Sequence, residues 1–599
     1  MKLYILILLL VRSTFAEKYD PCCSFPCQNF GICNRIGFTD QYHCDCYGTG
    51  YYGDNCQTPY ISTWIGDTIK PSPALVRWLT THGKLFWNLI NKVEFLHDFL
   101  LKIIIILKSD QPPWPESTSL GADFPTYEGY ANKTFYGRTL PPVPKDCPTP
   151  MGVAGPEVFP GVMETLQKIF TRTKFKPCPM GTSVLLPLYA QHFTHQSFKS
   201  YQDDPKLTWG SHEMDLSHLY GETKEKQLLL RTLEGGKMKM QKINGETYPP
   251  KLKDCPGLNM WYPAEITDDH KFGLGHPFFG SFPSLLYFNT LWLREHNRVC
   301  DILAQEYPNW DDERIFQTAR HNIHAQTMVV TIGDYAQQIS ATHLKLDYKP
   351  ELIHGSTMAW SSGRIHVEFN SMYHWHGTVP DVFNIGGKNY TLPDMMYNTK
   401  SLTQVGMATF TTSLSNQPMG QASGGNIVPA FLIKAIARAL ELNREVRLQS
   451  YNRYRQYFRL PRINTFEELT GDAQTANILK EIYANDIDAV EFLIGMIVEQ
   501  RHPTAIAGIG LIEIIGQYAF RNVFSNTIGS PQFWRESTFG GEKMFKMAKS
   551  TTLQKLVCRN IKECPRISFK VSDKKSTQQN HEMNYAELKD VDILSKKEL

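Results

Sequence analysis

Pro429-Ala430-Phe431-Leu432-Ile433-Lys434-Ala435-Ile436-Ala437-Arg438-Ala439-Leu440-Glu441-Leu442-Asn443-Arg444-Glu445-Val446 reads as a helix. A proline stands where a helix tolerates one, near its start. The periodic stretch through Ala435, Ala437, Leu440 and Val446 stops before Pro461. Just beyond, Thr465-Phe466-Glu467-Glu468 has the spacing of a capping box. Working outward, the chain from Asp110-Gln111-Pro112-Pro113 to about residue 570 shows no linker, repeat or low-complexity break. It also lacks any alternation of strand and helix, which predicts one large, mainly α domain rather than a parallel α/β fold. The 599 residues are 42% hydrophobic and 20% charged, which excludes collagen-like and disordered classes. A net charge of +3 gives no basic field of the kind that nucleic acid requires.

Toward the N-terminus the chemistry changes. Met1-Lys2, the apolar run Leu3 to Val11 and Thr14-Phe15-Ala16 read as a secretory signal peptide over 1–16. Seven of the 13 cysteines fall between Cys22 and Cys56, which points to a disulfide framework in an oxidising compartment. Six of them, with Gly50-Tyr51-Tyr52-Gly53, resemble an epidermal-growth-factor-like module over 17–57. The usual pairing of such modules implies Cys22–Cys33, Cys27–Cys44 and Cys46–Cys56, leaving Cys23 to bond outside. Residues 58–111 carry short amphipathic helices, with Pro71 and Pro73 breaking them and lysines punctuating their faces. No stretch there reaches the ~18–20 apolar residues that span a bilayer. By pattern, these faces fit either one membrane leaflet or a packed core. Asn132-Lys133-Thr134 and Asn389-Tyr390-Thr391 are glycosylation sequons, and the charged tail over 571–599 ends Lys596-Lys597-Glu598-Leu599, close to a lumenal retention signal.

No phosphate loop, dinucleotide fingerprint, nucleophile elbow or zincin helix occurs. What remains is histidine beside aromatics, in Gln191-His192-Phe193-Thr194-His195-Gln196 and Tyr373-His374-Trp375-His376. A neutral imidazole is a good iron ligand. Peroxide chemistry also needs a distal base with a hydrogen-bond donor beside it, and one His with one Gln supplies both.

With Thr290-Leu291-Trp292-Leu293-Arg294-Glu295-His296-Asn297-Arg298-Val299-Cys300, these segments resemble the animal haem peroxidases, and among them the prostaglandin endoperoxide synthases, or cyclooxygenases. Leu140-Pro141-Pro142-Val143-Pro144, Phe466-Glu467-Glu468-Leu469-Thr470-Gly471 and Ser537-Thr538-Phe539-Gly540-Gly541 extend the likeness in order along nearly the whole chain. The resemblance implies a haem-peroxidase catalytic domain over 112–570 and haem b as cofactor. It implies His376 as the proximal iron ligand, His195 as the distal acid–base group and Gln191 as its neighbour. Tyr373 would carry the radical that abstracts hydrogen from a polyunsaturated fatty acid, after which molecular oxygen adds. It further implies helices lying in one leaflet of the endoplasmic reticulum membrane (a monotopic protein facing the lumen), a homodimer, and the disulfides Cys23–Cys147 and Cys558–Cys564. Cys178, Cys255 and Cys300 are left without partners.

The fatty-acid channel departs from the family. Its carboxylate-binding arginine falls on Lys108, a point charge without the bidentate fork. Its partner tyrosine falls on Thr342, a shorter hydroxyl. Its aspirin-acetylated serine falls on Ala519 in a gapless count, or on Phe520 when aligned on Gly516, and neither bears a hydroxyl. A small glycine of the family falls on Asn522. These changes keep two further readings open: a haem peroxidase or fatty-acid dioxygenase that forms no endoperoxide, and a non-enzymatic scaffold bearing the module.

Overall fold

The computed structural model describes residues 19–109, 134–355, 360 and 364–572. The leader, the sequon at Asn132 and the C-terminal Lys596–Leu599 fall outside the described residues. Near the N-terminus, strands β1 (Ile32–Arg35) and β2 (Tyr42–Asp45) form an antiparallel ladder that sets Cys33 opposite Cys44. A segment this small buries too little apolar surface to hold its shape, and three disulfides, Cys22–Cys33, Cys27–Cys44 and Cys46–Cys56, staple it. Cys23 bonds to Cys147 and Phe30 meets the Tyr457 ring edge-on at 4.7 Å, so the module is tied to the helical body at two points. Cys558–Cys564 closes a short loop near the end of that body, and Cys178, Cys255 and Cys300 are free and buried.

Four helices follow: α1 (Ile61–Ile69), α2 (Pro73–Thr81), α3 (Lys84–Ile90) and α4 (Glu94–Ser109). Their outward faces are apolar. Trp64, Trp78, Leu85, Phe86, Leu89, Phe95 and Phe99 are all exposed. In α2 the usual arrangement is inverted, because its buried residues are Arg77, Thr80 and Thr81 while Leu75, Trp78 and Leu79 face out. Water outside would favour the opposite arrangement. Among the described residues no helix is long and apolar enough to cross a membrane. Asn91 Nδ2 donates to the His343 carbonyl at 2.8 Å and a His97 ring nitrogen meets the Lys345 carbonyl at 2.9 Å, fastening the four helices to the body.

The body is helical, with one large buried core. Helix α5 (Leu185–Thr194) and helix α7 (Asp312–Val330) pack on the long, almost wholly buried α6 (Pro283–Glu306). Next come α8 (Val367–Ser371), α9 (Ile433–Glu445), α10 (Tyr451–Tyr457), α11 (Phe466–Thr470) and α12 (Ile509–Phe524), which packs on α4. The helix read over 429–446 begins as a single 3-10 turn, Ala430–Leu432, before α9. It ends at Glu445 because Arg447 turns to φ 54°, and the chain restarts as α10 before Pro461. At Thr465 half of the capping box forms: Thr465 accepts from the Glu468 N–H at 3.0 Å, while the Glu468 carboxylate takes the Asn464 N–H at 2.8 Å. Asn389 is exposed on the hairpin of β3 (Val382–Ile385) and β4 (Lys388–Thr391).

The signature segment 290–300 lies inside α6, where its polar side chains are cross-links. Glu295 is fully buried and accepts two bonds from Arg298, each at 2.8 Å, and one from Asn560. Burial pushes its carboxyl up, but Arg298, Arg559 and Asn560 outweigh that and hold it down at about 2. His296 is held by the Tyr220 hydroxyl at 2.8 Å and the Gly236 carbonyl at 3.0 Å.

Candidate active site

Gln191 and His195 are one helical turn apart at the C-terminal end of α5. The His195 Nδ1 sits 2.5 Å from the Gln191 carbonyl. A carbonyl can only accept, so Nδ1 carries the proton and the neutral ring keeps a bare Nε2. Phe278 stacks on the ring at 5.3 Å and 6° between planes, and His276 stands across it at 5.1 Å. Burial outweighs the Gln191 bond, with a smaller push from the nearby Lys199 cation, and pulls the His195 pKa down to about 4. Lys199 itself is buried beside Trp209, donates to Ser217 Oγ at 2.8 Å, and is lowered to about 8 by desolvation. His195 is therefore a base that stays unprotonated at neutral pH.

The second segment follows α8. Glu368, fully buried, accepts from the Thr139 N–H at 2.9 Å and the Tyr454 hydroxyl at 2.8 Å, which fixes this short helix to the body. Beyond it, the Tyr373 ring is stacked on Trp375 at 5.2 Å, with Phe369 at 5.5 Å and Phe198 at 5.1 Å. Phe198 lies three residues after His195, so it joins the two segments. Tyr335 lies in a π-helical turn over Thr331–Ala336, with its ring against Tyr189 and Phe193. Burial raises the Tyr373 phenol well above its usual value.

His376 opens the 3-10 turn His376–Thr378. Arg172 donates to the Gly377 and Val379 carbonyls at 3.2 and 2.8 Å and clamps this turn. A side chain at Gly377 would press to 2.7 Å against the Gln421 carbonyl, so only glycine lets the backbone approach here. Burial pulls the His376 imidazole down to about 3, and its Nδ1 is buried with no partner. A neutral, undersatisfied imidazole suits an iron. Among the described residues no group of three or more His, Cys, Asp or Glu side chains is placed to hold a metal ion. An iron at His376 would take its remaining ligands from a prosthetic group, and a porphyrin supplies them.

The channel residues gather elsewhere. Lys108, at the end of α4, and Thr342 line a cavity of about 60 Å³ together with Val76, Arg77, Ile104, Ile512, Glu513, Gly516 and Phe520. Lys108 is ion-paired with Glu513. The Thr342 hydroxyl donates to the Leu344 carbonyl at 3.1 Å. Ala519 packs on the core, and Asn522 donates to the His212 carbonyl at 3.3 Å. A larger cavity of about 450 Å³, between segments 143–159 and 443–448, contains none of these groups and has no part in this chemistry. Sequence reasoning did not single out Arg77, Glu513, Tyr335, Phe198 or Phe278. Their only signal was local composition, and for Arg77 a lone cation on an amphipathic helix.

The animal haem peroxidase family matches residues 205–572. The prostaglandin G/H synthase 2 of Bos taurus is 42% identical over 95% of this chain and 94% of that protein. Prostaglandin G/H synthase 1 of Canis lupus familiaris is 41% identical over 92% and 91%. Among solved structures, peroxidase A of Dictyostelium discoideum superposes with a TM-score of 0.60 at 18% identity, covering 76% of this chain and 98% of that one. A fatty acid alpha-dioxygenase of Arabidopsis thaliana gives 0.58 at 16% identity, covering 84% and 92%. At such identities the two structures speak for the fold alone.

Proposed function

As a member of the animal haem peroxidases and, among them, of the prostaglandin G/H synthases, this chain is an enzyme, and we propose that it is bifunctional. It oxygenates a polyunsaturated fatty acid such as arachidonate to prostaglandin G and reduces the hydroperoxide to prostaglandin H. The observation that carries this reading is Tyr373, half-buried and packed among Phe198, Phe369 and Trp375 three residues before the candidate ligand His376.

Haem b, held by His376, would supply the two-electron reduction of a peroxide and the oxidising power that follows it. The bare Nε2 of His195 takes the proton from the peroxide oxygen nearer the centre and returns it to the leaving oxygen. Gln191 keeps that ring in the required tautomer through its carbonyl, and its side chain is the hydrogen-bond donor beside it. Tyr373 then gives up one electron and its phenolic proton. The aromatic wall around it excludes water and other hydrogen donors. The phenoxyl oxygen takes a bis-allylic hydrogen from the fatty acid, re-forming Tyr373, and two oxygen molecules add to the carbon radical. The final peroxyl radical recovers a hydrogen from Tyr373, which closes the cycle.

The apolar outward faces of α1–α4 support insertion into one leaflet, with the body in the endoplasmic reticulum lumen and the module beside it. A homodimer belongs to the same reading, as do the residue boundaries 17–57 for the module, 58–111 for the membrane helices and 112–570 for the catalytic domain. The five disulfides suit an oxidising lumen. A haem peroxidase that forms no endoperoxide is the second reading, and the narrowness of the cavity at Lys108 favours it. Oxygen uptake by the haem-loaded enzyme on arachidonate, with product analysis, separates the two. Tyr373→Phe is expected to abolish uptake while peroxidase turnover persists. Peroxidase turnover with no uptake in the unaltered enzyme establishes the second reading.

A further inference from the structure

Helix α2 turns its polar face inward, and this places Arg77 in the cavity with Lys108 and Glu513. The Lys108 ammonium and Glu513 are joined directly. Arg77 is 5% exposed, and its Nη1 stands 3.9 Å from Glu513. Its Nη2 donates to the Thr504 carbonyl and hydroxyl, both at 3.3 Å. Its Nε is buried with no hydrogen-bond partner among the described residues. Among the described residues Glu513 is the one carboxylate lining the cavity, and its close contact is with Lys108. Two enclosed cations thus share one anion, and the second cation keeps an unused N–H. Enclosed charge of this kind is costly until a counter-charge arrives. Among the described residues the cavity holds one cation more than it holds anions.

A carboxylate fits that vacancy best. The guanidinium edge offers donors in one plane, matching the two oxygens of a carboxylate, whereas an ammonium does not. About 60 Å³ accommodates a carboxylate head and its first methylenes, and Val76, Ile104, Ile512 and Phe520 supply apolar walls for those methylenes. The exposed side of α2 carries Leu75, Trp78 and Leu79, so the same helix meets the apolar surface outside and the cation inside. We propose that Arg77, rather than Lys108, takes the carboxylate of the incoming fatty acid, and that Lys108 serves to hold Glu513 away from Arg77. This assignment rests on the fatty-acid reading above. It reassigns the head-group contact from α4 to α2. Removing Lys108 alone frees Glu513 to turn to Arg77 and compete with substrate, so a Lys108 variant by itself would mimic a lost anchor.

The test measures affinity, so that it does not depend on turnover. Equilibrium dialysis of the holoenzyme without oxygen is run with arachidonate and with its methyl ester, which lacks the charge. Arg77→Leu is expected to weaken acid binding about tenfold or more, and ester binding less than about twofold. Arg77→Lys is expected to fall between the two, which guards against a folding defect in the leucine variant. The double variant Lys108→Leu with Glu513→Gln removes the competing pair as a unit and is expected to lose less than about threefold. Acid affinity unchanged in Arg77→Leu overturns the proposal, and so does a double variant that loses as much as Arg77→Leu. Arg77-dependent binding without oxygen uptake leaves the proposal standing and removes prostaglandin formation instead.

Discussion

Lowering the pH is expected to leave His195 able to accept a proton far into the acid range. An ordinary histidine has a pKa of 6.5 and burial brings this one to about 4. At pH 5.5 an unperturbed imidazole would be about one-tenth unprotonated, whereas His195 would be almost wholly so, a roughly tenfold difference in competent enzyme. The assay is peroxidase turnover from pH 4 to 8 at saturating hydroperoxide and reducing co-substrate, with far-ultraviolet circular dichroism followed in parallel. That control matters because His192 and His366 are lowered to about 3, chiefly by burial. For such groups the unfolded chain binds protons that the folded one refuses. Their stabilisation is complete above pH 6.5 and is lost as the pH falls toward their folded values. Phe278→Ser, which uncovers the ring face stacked on His195, is expected to move the acid limb up toward 6.5. A wild-type midpoint near 6.5 in folded protein, or one that Phe278→Ser does not shift, refutes the assignment of His195 as the buried base.

Two other expectations concern the scaffold. Arg455 and Glu499 form a buried ion pair that also engages the Tyr451 hydroxyl at 3.0 Å and the Gly510 N–H at 2.7 Å. Arg455→Leu leaves Glu499 uncompensated and is expected to cost about 3–5 kcal/mol, read as a lowered thermal midpoint, with Glu499→Leu in the same chain recovering part of it. Trp78 and Phe86 are each 56% exposed on the outward face of α2 and α3. At about 2 kcal/mol per buried aromatic, Trp78→Glu with Phe86→Glu is expected to lower partitioning onto phosphatidylcholine vesicles a hundredfold or more. Unchanged co-sedimentation would show that the face serves another purpose.

Local features of the site were legible before any coordinates. Gln191 and His195 belong to one helical turn, and Tyr373 and His376 to one four-residue segment, so spacing alone places each pair. The cysteine spacing carried the module in the same way, and the inverted face of α2 was visible as an amphipathic pattern without its direction. The stretch 429–446 was read as one helix because propensity does not register the left-handed turn at Arg447 that ends it. Lys108 was read as the carboxylate contact because the family's arginine falls on it, and its pairing with Glu513, 405 residues later, is a contact that only folding makes.

In the sequence, imidazole, amide and phenol at short spacings admit peroxide chemistry, and it is the ordered likeness to the animal haem peroxidases along the chain that singles it out. The tertiary structure decided the state in which those groups work. Burial strips solvent from His195 and His376 and keeps both neutral, an effect summed over every surrounding element. It also brings Arg77, Lys108 and Glu513 into one cavity of α2, α4 and α12, because ion pairing depends on distance in space and only folding closes that distance.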